Sequence, residues 1–474
     1  MPVAGPSSGR GMAVDLTPAD FDLVVIGAGS GGVAASRRAA AHGARVAIVE
    51  GRRVGGTCVL RGCVPKKLLM YAAEFGDAWA TARGYGWSLP DPTFDMSRWA
   101  QAKAAETGRL EGIYRRLLEG SGVTLFEGHA RLDGPGRVRV EPGADAGGGL
   151  VLTARHVLLA TGSSPATDRI PGLELAATSD DLLDLTALPP AAAIVGAGFI
   201  AVEFASMLAR LGVKVSLYFR GRLPLRGFDE MLRTAAMAEL QAAGVEVHAE
   251  TVPTRVQAVS GGLLLLFGDG RVREFPWVLN ATGRHPNSAG LGLASVGIVP
   301  DAAGAVPVGS GNQTTAPGVY AIGDLTNRVN LTPVAIAEGR ALADTLFGGL
   351  PRTVDLSLVP TAVFMLPPLA SCGPTEAERV AAGRATRVFE TEFRPMKTAF
   401  SGGAQRTRMK LLVDAATDRV EAVHMVGPDA PEIVQSLAVA LCAGATKAHF
   451  DRTLAMHPTA AEEFVLMREP ARVV

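Results

Sequence analysis

The sequence predicts an α/β protein with two βαβ units, followed by a smaller α+β domain at the C-terminal end. Two glycine-rich turns, each between an apolar strand and a helix, predict the βαβ units. After about residue 357 the pattern of strands and helices continues without such turns, which predicts the separate C-terminal domain. A chain of 474 residues that is 48% hydrophobic can bury the cores of several domains.

The composition argues against several classes of protein. Lys plus Arg and Asp plus Glu both number 46, so the basic field expected of a nucleic-acid-binding protein is missing. The uncharged stretch Leu356–Thr375 is the candidate for a membrane span, but its four prolines make it a poor membrane-spanning helix. Four cysteines are too few for a disulfide scaffold and fit a reducing compartment. We expect a cytoplasmic protein with no membrane or nucleic-acid partner, no metal and a disordered leader at residues 1–20.

The first βαβ unit runs from Phe21 to Glu50. An apolar strand leads into a turn with Gly27, Gly29 and Gly32, and a helix and a second strand follow. Such glycines let the backbone approach a pyrophosphate, which the free N–H groups of the helix N-terminus then bind. Glu50, 21 residues after Gly29, can accept hydrogen bonds from ribose hydroxyls. The unit predicts a dinucleotide site, although a glycine-rich turn without a ligand has the same pattern.

The second βαβ unit, at residues 192–220, repeats this plan with Gly196 and Gly198. Its second strand leads to Arg220, and Arg226 follows. A guanidinium binds a 2′-phosphate through charge-assisted hydrogen bonds, whereas a carboxylate would repel it. The second site is therefore predicted to prefer NADPH to NADH, unless these arginines form a solvated cluster. The same motif context twice in one chain predicts two Rossmann-like domains.

Three further stretches indicate how the domains connect. "VLLATGSSP" (Val157–Pro165) and "VLNATGRHPN" (Val278–Asn287) each carry a strand into Ala-Thr-Gly, where we expect the chain to cross between domains. Asp324 in "GVYAIGDL" follows an apolar strand and is placed to reach a ribityl chain or another bound hydroxyl. The predicted domains are a first nucleotide-binding domain at 21–165 and 288–356, a second at 166–287 and a C-terminal domain at 357–474.

Together these motifs resemble those of the flavoprotein disulfide reductases. "GGTCVLRGCVPKK", both glycine-rich turns, "YAIGDL", "LTPVAIAEGRALA" and "HPTAAEE" occur in the order of that family, from Phe21 to Glu469. The resemblance implies FAD in the first site, NADPH in the second, and a homodimer formed through the C-terminal domain. It implies FAD contacts at Gly27, Gly29, Ser30, Gly31, Gly32, Glu50, Thr57, Thr161, Gly162, Asp324 and Thr332.

The same resemblance implies the residues of the NADPH site. The NADPH contacts would be Gly196, Gly198, Phe199, Ile200, Glu203, Arg220, Arg226, Gly283 and Arg284. Phe199 stands where the family usually has a tyrosine that covers the flavin until nicotinamide displaces it. A phenylalanine ring can still stack, so we expect gating to continue without the hydroxyl.

Cys58 and Cys63 stand five residues apart in "GGTCVLRGCVPKK". A metal clip needs about four Cys or His ligands and no second pair lies nearby, while a structural disulfide would close a small, strained loop. Spacing and resemblance together favour a redox pair. The resemblance implies that Cys63 faces the flavin as a thiolate and that Cys58 attacks the substrate disulfide. Cys372 and Cys442 are expected to be buried free thiols.

Thiol exchange also needs a proton donor and acceptor, for which histidine is suited near neutral pH. Of eight histidines, His457 has the best context, because it precedes a helix start and stands five residues before Glu462. By resemblance His457 is the general acid and base, Glu462 orients it, and both belong to the partner subunit's side of the active site. Lys66 resembles the family lysine beside the flavin, paired with Glu203; otherwise it is a surface charge.

The resemblance also implies the substrate, glutathione disulfide. Its four carboxylates need cations, and Arg37 and Arg340 match the arginines of the family, with Tyr114 between the two glutathione halves and Ser30 nearby. A solvated helix face is the alternative for each arginine. The implied function is NADPH-dependent reduction of glutathione disulfide, which maintains cellular thiol balance. The alternatives are reduction of a coenzyme A or glutathione-amide disulfide, and a flavin redox sensor without turnover.

Overall fold

The computed structural model describes residues 19–88, 90–141 and 149–474. The predicted leader therefore lies almost entirely outside the described residues. Within them the strands form five sheets, two of which are built on parallel strands preceded or followed by helices. This arrangement confirms the predicted class, with two Rossmann-like units and a C-terminal α+β domain.

The first unit is centred on a mostly parallel sheet in the order β3-β2-β1-β6, extended by antiparallel β5 and β4 and by parallel β16 beside β6. Its strands are β1 (Phe21–Ile26), β2 (Val46–Glu50), β3 (Thr124–Glu127), β4 (His129–Leu132), β5 (Arg137–Glu141), β6 (Leu150–Leu159), β7 (Ser163–Pro165) and, later in the chain, β16 (Val319–Ala321). Its helices are α1 (Ser30–Ala41), α2 (Gly56–Leu60), α3 (Cys63–Gly84), α4 (Met96–Glu119) and, later in the chain, α8 (Thr332–Phe347).

The apolar residues of β1 explain its central place in this sheet. Residues 23–26 are buried on both faces, as expected of a parallel strand covered by helices. Helices α1 and α8 pack closely because two glycines face each other. A Cβ atom on Gly339 would lie 2.7 Å from the carbonyl oxygen of Gly31, so α8 could not carry a side chain there at this separation. This contact fixes α8 beside the N-terminal turn of α1.

The second unit has a parallel sheet in the order β10-β9-β8-β14 and a separate antiparallel sheet β11-β12-β13. A two-stranded antiparallel ribbon, β7 with β15, joins it to the first unit. Its strands are β8 (Ala191–Val195), β9 (Lys214–Tyr218), β10 (Glu246–His248), β11 (Pro253–Val259), β12 (Gly262–Phe267), β13 (Val272–Phe275), β14 (Val278–Asn280) and β15 (Arg284–Pro286). Its helices are α5 (Ser179–Leu183), α6 (Phe199–Arg210) and α7 (Glu230–Ala242).

The C-terminal domain is an antiparallel sheet in the order β17-β18-β21-β20-β19-β22, with helices packed against it. Its strands are β17 (Thr361–Val363), β18 (Leu369–Cys372), β19 (Thr386–Phe393), β20 (Thr407–Asp414), β21 (Val420–Val426) and β22 (Arg472–Val473). Its helices are α9 (Glu376–Ala381), α10 (Met396–Phe400), α11 (Ala430–Cys442), α12 (Lys447–Arg452) and α13 (Glu463–Leu466).

A buried charge cluster attaches this domain to the second unit. The ammonium group of Lys410 on β20, 3% exposed, lies 2.8 Å from Asp229 and 2.8 Å from Glu376. Asp229 also caps α7 by accepting a hydrogen bond from Met231 N at 3.0 Å. Because a buried ammonium needs such partners, the cluster fixes α7 against the C-terminal sheet.

None of the helices in residues 19–88, 90–141 and 149–474 combines the length and apolar character needed to cross a membrane.

Candidate active site

The turn between β1 and α1 is shaped to accept an anion. Gly27 has φ +106°, and a Cβ atom there would lie 2.5 Å from Ala160 O. A Cβ on Gly32 would lie 2.0 Å from Gly27 O, so the turn tolerates only glycine at both positions. Gly29 caps α1 without a side-chain hydrogen bond, and the buried hydroxyl of Ser30 has no partner among the described residues. These free donors fit the pyrophosphate of a dinucleotide.

The other predicted flavin residues lie around this turn. Glu50, at the end of β2, accepts hydrogen bonds from Ala28 N at 2.7 Å and Arg52 N at 2.9 Å. Asp324, in a short 3-10 helix after β16, accepts one from the Ser163 hydroxyl at 2.7 Å. Thr161 instead donates to Asn287 O at 2.9 Å, beside Gly162. Thr57 lies on the exposed side of α2, and Gly31 faces α8.

The turn between β8 and α6 repeats the first one with more open space. Gly196 has φ +134°, and a Cβ there would lie 2.2 Å from Ala281 O. A Cβ on Gly198 would meet nothing within 4 Å, and α6 has no side-chain cap. Phe199 is 44% exposed at the start of α6, with Ile200 beside it. The turn therefore fits a second pyrophosphate with an aromatic ring at its entrance.

Two arginines follow the second strand of this unit. β9 ends at Tyr218, so Arg220 and Arg226 both stand in the loop beyond it. Both are exposed, and in the described ranges neither forms an ion pair, whereas Arg222 pairs with Glu230 at 3.0 Å. Two unpaired guanidinium groups are available for a phosphate.

Gly283 and Arg284 are differently placed. Gly283 has φ +148° and open space around it. The Arg284 guanidinium is bonded to Ser163, through Nε to Oγ at 2.8 Å and Nη2 to the carbonyl oxygen at 2.6 Å. No local sequence pattern indicates this contact, because it joins residues 121 positions apart.

The two cysteines lie on consecutive helices as free thiols. Cys58 belongs to α2, and Cys63 is the first residue of α3, where the helix N-terminus favours a negative charge. A hydrogen bond from Cys58, the Thr332 hydroxyl at 3.5 Å and the charge of Lys66 lower the pKa of Cys63 to about 6. The same hydrogen bond and burial raise the pKa of Cys58 far above its ordinary value. The reduced pair thus holds one negative charge, mostly on Cys63.

The structure brings Lys66 and Glu203 together. Lys66 Nζ lies 2.7 Å from Glu203 Oε1, and the Glu203 side chain on α6 is 2% exposed. The same carboxylate accepts a hydrogen bond from Phe364 N at 2.8 Å. The Lys66 ammonium also lies 4.3 Å from the centre of the Phe364 ring. Lys66 is therefore a fixed, partly buried cation near Cys63, and the surface-charge alternative is wrong.

His457 and Glu462 form a second pair. His457 Nδ1 lies 3.1 Å from Glu462 Oε2, and Thr459 Oγ1 accepts a hydrogen bond from Glu462 N at 3.3 Å. The His457 side chain is 80% exposed, and in the described part of the chain no hydrogen bond connects it with Cys58 or Cys63. Its Nε2 atom is left free for a proton carried to or from another molecule.

The candidate substrate residues lie on α1, α4 and α8. Arg37 is exposed and donates to the Ser121 hydroxyl at 3.2 Å. Arg340 is exposed and forms no ion pair with the residues described. Burial and the nearby Cys58 thiol raise the pKa of Tyr114. The Tyr114 phenol therefore lies near the thiol pair, and Arg37 and Arg340 are two exposed cations on α1 and α8.

One expectation about the remaining cysteines is wrong. Cys372 is buried, and burial raises its pKa to about 11, but Cys442 is exposed. Cys442 ends α11, and the preceding Leu441 occupies the buried face of that helix. Among the described residues, no group of three or more His, Cys, Asp or Glu side chains could hold a metal ion.

Comparison with known proteins defines the class. The family model "Pyridine nucleotide-disulphide oxidoreductase" matches residues 21–339, and the dimerisation-domain model of the same family matches residues 359–468. The chain therefore belongs to the pyridine nucleotide-disulphide oxidoreductase family, and the predicted resemblance to disulfide reductases is confirmed. Membership implies a flavin and a nicotinamide cofactor, and the second match supports a homodimer.

Three curated relatives are similar over nearly the whole chain. A glutathione reductase of Burkholderia cepacia is 47% identical over 449 residues, which is 95% of this chain and 98% of the relative. The chloroplastic/mitochondrial glutathione reductase of Pisum sativum is 44% identical, over 96% of this chain and 83% of the relative. A glutathione reductase of Nostoc sp. is 42% identical, over 95% of this chain and 99% of the relative.

Proposed function

We propose that this protein reduces glutathione disulfide to two glutathione molecules with electrons from NADPH, and so maintains thiol balance in the cytoplasm. The observation that carries the proposal is the pair of free thiols, Cys58 and Cys63, which have opposite pKa shifts and lie near Tyr114 and the fixed cation Lys66. Identities of 42–47% to three glutathione reductases support the choice of substrate. The comparisons give no support to a coenzyme A or glutathione-amide substrate, or to a sensor without turnover.

The cofactors we propose are FAD at the first glycine-rich turn and NADPH at the second. Glu50 ends β2 and suits free ribose hydroxyls, while Arg220 and Arg226 suit a 2′-phosphate. When bound, the flavin passes an electron pair from the nicotinamide to the cysteine pair. The protein's part would be to hold FAD and NADPH at the two glycine-rich turns, with Phe199 at the entrance of the second turn and Lys66 as a fixed cation.

The cysteine pair then performs two exchanges. Cys58, once deprotonated, attacks one sulfur of glutathione disulfide, so the substrate S–S bond breaks and a mixed disulfide forms. The leaving thiolate takes a proton and departs as the first glutathione. The Cys63 thiolate next attacks the Cys58 sulfur, which releases the second glutathione and forms the Cys58–Cys63 disulfide. Two electrons from NADPH balance the cycle.

Because the pKa of Cys58 is raised, its attack requires a base. His457, oriented by Glu462, is the candidate to accept this proton and return it to the leaving thiolate. We propose that His457 of one chain serves the cysteines of the other in a homodimer. Arg37, Arg340, Ser30 and Tyr114 would bind the substrate.

Purified protein loaded with FAD tests this proposal. NADPH should be consumed on addition of glutathione disulfide, and less readily with coenzyme A disulfide. Arg37→Leu should raise KM for glutathione disulfide about tenfold with little change in kcat, because it removes a charge-assisted contact. Arg115→Leu, which removes a guanidinium that pairs with Glu127 at 2.7 Å, is the control. Strong turnover with another disulfide and none with glutathione disulfide would overturn the substrate.

A further inference from the structure

The ribbon formed by β7 and β15 joins the two nucleotide-binding units. In it Ser164 pairs with His285, and Ser163 pairs with Pro286. Just beyond the ribbon, Asn287 Nδ2 donates a hydrogen bond to the Thr161 carbonyl oxygen at 2.9 Å. The ribbon therefore holds two distant parts of the chain in one register.

A chain of hydrogen bonds runs across this ribbon. Arg284 Nε donates to Ser163 Oγ at 2.8 Å, and Ser163 Oγ donates to Asp324 Oδ2 at 2.7 Å. The direction is fixed, because a guanidinium N–H can only donate and an ionised carboxylate can only accept. Ser163 is 5% exposed, so water competes little with these bonds and each strengthens the next.

Asp324 is held from two sides. Its backbone is fixed because Gly323 N donates to the buried Glu338 carboxylate at 2.8 Å. Its Oδ2 atom accepts from Ser163, while no described residue donates a hydrogen bond to Oδ1. One carboxylate oxygen is thus oriented by the protein and the other is left for a ligand hydroxyl.

We propose that Ser163 is a positioning residue that orients Asp324 toward the flavin and ties it to Arg284 at the NADPH site. The inference rests on the proposed function, since it takes Asp324 as a contact of FAD and Arg284 as a contact of NADPH. Ser163 itself touches neither ligand in this scheme. It makes the two cofactor sites parts of one hydrogen-bonded unit.

The test measures FAD binding to apoprotein by quenching of flavin fluorescence, without any disulfide substrate. Ser163→Ala should weaken FAD binding on the order of tenfold, the loss of one charge-assisted hydrogen bond. Ser163→Thr keeps the hydroxyl and should retain most of the affinity. Ser164→Ala, on the same strand with no described side-chain hydrogen bond, is the matched control and should equal the wild type.

Arg284→Met sharpens the test, because this residue acts on FAD only through Ser163 in the proposal. It should weaken FAD binding several-fold, and the Ser163→Ala/Arg284→Met double variant should be no weaker than Ser163→Ala alone. The inference would be overturned if the two substitutions weakened FAD binding independently, so that their effects multiplied in the double variant. It would also be overturned if Ser163→Ala left the FAD affinity unchanged. Neither result would affect the proposed function. Failure of the wild type to bind FAD would instead overturn the proposed function.

Discussion

The candidate active site has a cysteine half, which consists of Cys58, Cys63 and Lys66, and a histidine half, which consists of His457 and Glu462. The chain holds the two halves differently. Cys63 begins α3 and contacts Thr332, and the neighbouring Lys66 is fixed by buried Glu203. His457 is 80% exposed, and Glu462 is its hydrogen-bonding partner in the described residues. The cysteine half is held by contacts within one chain, whereas the histidine half is exposed at the surface.

The surroundings of His457 show the same contrast. Leu454 is 94% exposed and Met456 is 77% exposed, beside a histidine whose Nε2 is free. Such apolar surface next to a reactive group is typical of a contact with another molecule. The dimerisation-domain match includes all of these residues. Within one chain the candidate cysteines and His457 are therefore separate, and we propose that a second chain brings them together.

The largest expected effect comes from removing the cysteine half. Cys63→Ser should reduce kcat at least about 10⁴-fold, because no internal disulfide can then form to release the second product. Steady-state NADPH oxidation with glutathione disulfide measures it. Cys442→Ser, an exposed thiol outside the site, is the control and should retain full activity.

The next largest effect should come from weakening the attachment of the C-terminal domain, which carries the histidine half. Lys410→Met should lower the free energy of unfolding by about 3–5 kcal/mol, since buried Asp229 loses its ammonium partner. Denaturant unfolding measures the change. Lys397→Met on exposed α10 should have no such effect. Equal stability of the two variants would mean that the cluster does not hold the domains together.

The histidine half should matter for one half-reaction alone. His457→Gln should reduce steady-state kcat about 10²–10³-fold, the range for loss of a general acid–base group. The rate at which NADPH reduces the cysteine pair, measured by rapid mixing, should stay the same, because that half-reaction needs no proton from His457. Equal slowing of both half-reactions would place His457 in a structural role.

The smallest effect concerns ionisation of Cys63. A thiol is charged when it is deprotonated. Because the pKa of Cys63 is lowered to about 6, its thiolate form should predominate from a lower pH than in an ordinary cysteine. At pH 7 about 90% of Cys63 should be ionised. The rate at which Cys63 is alkylated in the reduced protein, measured by mass spectrometry, should rise with pH with a midpoint near 6. A midpoint near the ordinary value of 9 would contradict the proposed charge distribution.

Thr332→Val refines this measurement. It removes the hydroxyl beside Cys63 and should raise the midpoint by about 0.5–1 unit. Thr345→Val, farther along α8 and bonded to its own helix through Ala341 O, is the control. An unchanged midpoint in Thr332→Val would leave Cys58 and Lys66 as the sources of the shift.

The sequence predicted the features that depend on local order. Both glycine-rich turns have short-range spacing, and the fold class followed from them. Glu462 stands five residues beyond His457, and the structure brings the two within hydrogen-bonding distance. Such contacts are encoded by residues a few positions apart, which a single sequence shows directly.

Contacts between distant segments could not be predicted in this way. The bond from Arg284 to Ser163 depends on the register of β7 with β15, which no local pattern specifies. Glu338 has no motif that indicates its bond to Gly323 N. The exposure of Cys442 depends on which face of the last turn of α11 meets the sheet. Each of these is decided by packing across the fold.

Mixing two inactive variants tests whether two chains complete each active site. Homodimers of Cys58→Ser and of His457→Gln should each be nearly inactive. In a mixed dimer, one site would combine the intact Cys58 of one chain with the intact His457 of the other. Co-expression in equal amounts should therefore restore about a quarter of wild-type activity, because half of the dimers are mixed and each has one working site. Activity no higher than that of the separate variants would contradict the account.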